Sequence, residues 1–151
     1  MLRTLKRLLE AQPADAHATP LERRHLQLAV AVLLHEARRA DYAEGHEEET
    51  RRAQAALTEL FGLDAASAVE LLEEGKTRAQ QLTSFYAPVS VLKRDYSMEE
   101  RIALVEHLWR IAFADGSLNP YEDHYVRKIG HLLYVTNTDI VLARNRARPK
   151  A

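Results

Sequence analysis

The chain of 151 residues contains no cysteine. Disulfides, thiolate metal sites and cysteine nucleophiles are thereby excluded. Glycine is scarce, at five residues, and no glycine-rich phosphate loop can be traced; a G-x-S-x-G elbow and an H-E-x-x-H helix are missing as well. Basic charge is not in excess, because 21 Lys and Arg stand against 22 Asp and Glu, a formal net charge of −1. A general nucleic-acid binder needs a basic face to neutralise phosphates, so no nucleic-acid partner is expected. No apolar run approaches the ~20 residues that span a bilayer. Basic residues interrupt the leucines of the first nine positions, so these do not form the apolar core of a secretory signal. A cytoplasmic location is expected.

What is present argues for one folded domain. Hydrophobic residues make up 46% of the chain, against general disorder, and the length suits a single core. The expected division is an N-terminal amphipathic helix and linker over 1–19, a helical domain over 20–147 and a basic tail over 148–151. Leu2, Leu5, Leu8 and Leu9 share one helical face, flanked by Arg3, Lys6 and Arg7. Docking on the domain explains those leucines; peripheral membrane contact is the competing reading.

Thr19-Pro20-Leu21-Glu22 has the form of a capping box with proline at the first helical position. The helix that follows should bury Leu26, Val30, Leu33, Leu34 and Ala37 and end near Asp41. An acidic turn over 44–49 precedes a helix over 50–61, stopped by Gly62. Asp64 should cap a helix over 65–74, which Gly75 weakens and which resumes up to a kink or break at Pro88. Residues 89–96 read as a short helical or irregular connector. Ser97-Met98-Glu99-Glu100 is a second capping box, and Thr136 to Asp139 should cap a last helix ending near Arg146. No segment alternates with period two. The expected fold is all-α, about seven helices in a compact bundle, with short connections favouring antiparallel neighbours.

The most structured stretch is a helical elbow over 99–143. Ile102, Val105, Leu108, Trp109 and Ala112 recur at three and four residues, the spacing of one buried face. Asp115-Gly116 ends that helix, since glycine takes the left-handed conformation without a Cβ clash. Asn119-Pro120-Tyr121-Glu122 starts the next, whose apolar face is Val126, Ile129, Leu132 and Leu133. The run LWRIAFADGSLNPYEDHYVRKIGHLL resembles the signature of the TerB-like tellurite-resistance family. A small-residue helix ends in A-x-x-D-G, and an acidic residue follows in the first turn of an apolar helix. Ala112 to Ala114, Asp115-Gly116, Glu122 and the Ile129, Leu132 and Leu133 set carry the resemblance, which covers roughly residues 20 to 147. It implies an all-helical bacterial stress-related protein, in a family whose biochemical activity is poorly defined.

The two halves also match each other weakly. With Ala40-Asp41 laid on Ala114-Asp115, Val30 falls on Leu104 and Leu34 on Leu108. One extra residue in the first turn then brings Glu49 onto Glu122, Ala53 onto Val126, Ala56 onto Ile129 and Leu60 onto Leu133. A pseudo-repeat and the generic likeness of helical hairpins both account for this.

The candidate metal-type residues are Asp115 and Glu122 at one elbow, with Asp41, Glu44, Glu48 and Glu49 at the other. Carboxylates on turns are hard oxygen ligands for a divalent metal ion such as Ca²⁺, Mg²⁺ or Mn²⁺; His46 or His124 nearby would favour Zn²⁺. The competing reading is local, with Asp115 bonded to amides of its own turn and Glu122 completing a capping box. Asp115 and Glu122 are seven residues apart, so the elbow is not an EF-hand. Glu22-x-x-His25 is a single copy of a di-iron spacing that needs two. His35 and His107 read as structural histidines, and Trp109, Phe113 and Tyr125 as core. Arg144, Arg146, Arg148 and Lys150 form a basic stretch that is solvated or touches an acidic partner or lipid. Three function classes follow: a non-enzymatic interaction or adaptor module with protein partners, a divalent-metal-binding protein and, last, a metal-dependent hydrolase. The first expects an exposed apolar patch rimmed by charge.

Overall fold

The computed structural model describes residues 19–39 and 47–149. The N-terminal amphipathic stretch, Asp41, Glu44, His46 and Lys150 lie outside the described residues. Seven helices are present among those described: α1 Pro20–Arg39, α2 Glu47–Phe61, α3 Ala65–Gln81, α4 Tyr86–Asp95, α5 Met98–Ala112, α6 Pro120–Leu132 and α7 Asn137–Ala147. No strand occurs among the described residues.

Five of the described helices begin where a short polar side chain satisfies a first free amide, while α4 starts after Phe85 with no side-chain cap. Thr19 Oγ1 accepts from Glu22 N at 3.1 Å, Asp64 Oδ1 from Ser67 N at 2.7 Å, and Thr136 Oγ1 from Asp139 N at 3.1 Å. Ser97 with Glu100, and Asn119 with Glu122, form complete reciprocal capping boxes. Gly62 and Gly116, at φ +66° and +90°, close α2 and the turn after α5 in left-handed conformations. Tyr134 does the same after α6 at φ +61°, and the next amide, Val135 N, donates back to Gly130 O at 3.0 Å.

Three expectations are corrected: Leu132, assigned to the apolar face of the helix after the elbow, is exposed, and Gly75 and Pro88 also act otherwise than expected. Gly75 does not weaken α3, which runs unbroken to Gln81. It lies where α3 presses on α1: a Cβ there would stand 2.7 Å from the Ala31 carbonyl carbon and 2.7 Å from its Cβ. Pro88 does not end a helix either. The break falls over 82–85, and Pro88 sits in the first turn of α4, where its missing N–H has no intrahelical acceptor to serve.

α1 is the central helix, with Ala29 to Leu34 buried without interruption. It packs most extensively on α3 and α4 and also touches α2 and α5, while α5 carries α7. A helix that is apolar on all sides belongs inside. Tyr125 ties α6 to it, its hydroxyl donating to Leu33 O at 2.7 Å. In each half the first helix packs most on the third, α1 on α3 and α5 on α7. The aligned pairs Val30 and Leu104, Leu34 and Leu108, Glu49 and Glu122, Ala53 and Val126, and Ala56 and Ile129 are all buried. α4 has no counterpart and lies between the halves in sequence.

Candidate functional site

The elbow between α5 and α6 separates its two carboxylates by environment. Asp115 is exposed, and its Oδ1 accepts from Ser117 N at 3.1 Å within its own turn. Glu122 is 1% exposed; its Oε1 accepts from Asn119 N at 3.3 Å, while Glu122 N donates to Asn119 Oδ1 at 2.8 Å. Both carboxylates therefore make the local bonds that a helical elbow requires. At the start of α2, Glu48 pairs with Arg51 and Arg52, the latter at 3.3 Å, and Glu49 is buried beside them at 5% exposure. Asp41 and Glu44 lie outside the described residues. Among the described residues, no three His, Asp or Glu side chains gather into a group that could hold a metal ion.

The histidines divide in the same way. His35 and His107 are buried, and His35 Nδ1 faces the Arg38 guanidinium at 2.9 Å. His107 Nε2 stands 3.6 Å from Glu59 Oε2, yet burial holds its pKa below the usual 6.5, reinforced by Arg110 and opposed by Glu59 and Glu106. Glu59, Arg110, Glu106 and Arg146 form a chain of ion pairs across α2, α5 and α7.

A concave surface lies on the other side of α1. α3 and α4 both pack on α1, and between them remains a groove of about 220 Å³. Leu28 and Val32 of α1 form its floor, and Leu82, Pro88 and Val91 its walls. His25 and Arg78 stand exposed at its rim. His25 thus lines the rim of an apolar groove. The single-face periodicity assigned to α1 missed these residues. The uninterrupted Ala29 to Leu34 run was the available signal, since a helix apolar all round must be flanked on several sides.

The family model for tellurite resistance protein TerB matches residues 27–145, from within α1 to within α7. The chain belongs to the TerB family. No curated protein and no solved structure matches it. The TerB match takes in the Asp115-to-Glu122 elbow, the start of α2 and nearly all of the groove; only His25, at the rim, precedes it. No described helix of this TerB-family chain is long and apolar enough to cross a membrane.

Proposed function

We propose that this domain is a non-enzymatic interaction module in a bacterial stress response, with tellurite exposure as the stress to which the family name points. One observation carries the reading: the groove over α1 has an apolar floor and walls and a polar rim of His25 and the Arg78 guanidinium. That is the surface expected of a site that takes an apolar segment of a partner protein. A photo-crosslinking amino acid placed at Leu28 or Val91 tests it in cells exposed to tellurite, with exposed Leu142 on α7 as the control position. A discrete protein adduct from the groove positions and none from Leu142 is expected. No adduct, or the same adducts from all three positions, overturns the reading.

A second reading, divalent-metal binding at the acidic elbows, is favoured by one feature. Glu49 and Glu122 occupy matching positions in the first turns of α2 and α6 and are both buried. Buried carboxylates suit hard cations, and a cation that binds only the folded state raises its melting temperature. Thermal melts of wild type and the Asp115→Asn, Glu122→Gln double variant with Ca²⁺, Mg²⁺, Mn²⁺ or Zn²⁺ separate the cases. Metal binding predicts a rise that the double variant loses. Capping alone predicts no response to metal and a loss of about 1 kcal/mol for Asn119→Ala.

A further inference from the structure

On the outer seam between α4 and α6 two lysines lie over aromatic rings, with Glu36 of α1 beside the Phe85 end. Lys93 of α4 lies over the ring of Tyr134, its Nζ 4.4 Å from the centroid, and Lys128 of α6 lies over Phe85 at 5.4 Å. Phe85 packs edge-on against Tyr125 at 5.8 Å, which holds that end of the seam in place. Among the described residues, neither lysine has a carboxylate within ion-pair distance. The acids on the same two helices are engaged elsewhere: Asp95 with Arg94 at 2.9 Å, Asp123 with Arg127 at 3.0 Å and Glu122 in its capping box.

Tyr134 adds an independent sign. Its φ of +61° is one that glycine adopts without a Cβ clash and tyrosine does not. The residue is nonetheless 69% exposed, so the ring gains little from burial in the fold. Tyr86, next to Phe85 in the chain, is 79% exposed. Exposed tyrosines are enriched at binding hot spots, and strain kept at an exposed aromatic marks a site of use.

We infer that this seam docks an extended acidic segment of a partner protein, with two of its carboxylates taken by Lys93 and Lys128 and its backbone covered by Tyr86 and Tyr134. Phe85, which Lys128 covers, and Lys93 mark the ends of an α4 stretch of eight residues, about 12 Å at 1.5 Å per residue. Two side chains four residues apart on an extended strand face the same way and stand about 13 Å apart. Two cations are too few for a nucleic-acid backbone, where affinity grows with each phosphate neutralised. They also fall short of the roughly four to eight basic residues of a lipid-binding cluster. This inference rests on the interaction-module reading but uses a surface distinct from the groove.

The test titrates the ¹⁵N-labelled protein with a Gly/Ser peptide carrying two glutamates four residues apart. Amide shifts centred on Tyr86, Lys93, Lys128 and Tyr134 are expected, weakening with salt and missing with the matching glutamine peptide. Lys93→Glu with Lys128→Glu should lower affinity by about tenfold or more (1.4 kcal/mol per factor of ten) while leaving the melting temperature near that of wild type. Tyr134→Gly should melt higher than wild type and bind the peptide several-fold less well. A Tyr134→Gly variant that binds as well as wild type, or shifts found only around the α1 groove, would sink the seam; the second result leaves the interaction module standing. Retention of the protein by phosphatidylserine vesicles or a single-stranded oligonucleotide through the two lysines, with no response to the peptide, would also overturn it.

Discussion

Trp109 is wholly buried on α5, its indole N–H donating to Ile140 O at 3.1 Å and its ring beside Phe113 and the Arg127 guanidinium. Truncation would leave a large cavity and remove the hydrogen bond that ties α5 to α7. Trp109→Ala is expected to lose about 3–5 kcal/mol, read as a lower urea midpoint with an unchanged slope. His107 is sensitive to pH instead. Burial lowers its folded pKa below 6.5, so the unfolded chain binds the proton first as pH falls. Its contribution to stability is complete above the unfolded value of about 6.5 and is lost as pH drops from there through the folded pKa. His107→Gln should therefore flatten the fall in stability between about pH 7.5 and 5.5. Equal slopes for variant and wild type would show that groups other than His107 set the acid limb.

At the scale of elements, two glycines are packing devices in helix interiors. Alanine at position 75 would improve helix propensity by about 1 kcal/mol, but its Cβ would meet the Ala31 backbone carbonyl oxygen at 2.8 Å. Backbone cannot step aside cheaply, and the α1–α3 pair is the most extensive in the fold. Gly75→Ala should destabilise by about 1–3 kcal/mol despite the propensity gain. At Gly130 the obstruction is the Ile140 side chain, with Cδ1 at 2.7 Å. That end can rotate, so Gly130→Ala should lose less than Gly75→Ala in the same denaturation assay. The reverse order would mean that α1 and α3 tolerate separation.

For the molecule as a whole, much of the helical order was legible in the sequence because its signals are local. Thr19, Asp64, Ser97, Asn119 and Thr136 each bond an amide three residues on, and such bonds need no distant partner. The same holds for the stops at Gly62 and Gly116, where only backbone conformation is at issue. The matching of the two halves was visible as a pattern, and five of the six aligned pairs are buried, Leu60 opposite Leu133 being only partly so. Long-range packing decided the rest. Gly75 reads as a weak point until Ala31 stands against it, and Pro88 reads as a terminus until the break is found over 82–85. Asp115 and Glu122 look equivalent in a linear pattern, yet one faces solvent and the other is buried, because only α6 turns that position inward. The groove and the lysine–aromatic seam join residues from separate helices, and no periodicity within one helix encodes its neighbour. Local hydrogen bonding therefore determined where five of these seven helices begin, and tertiary packing determined which of their side chains remain available to anything outside.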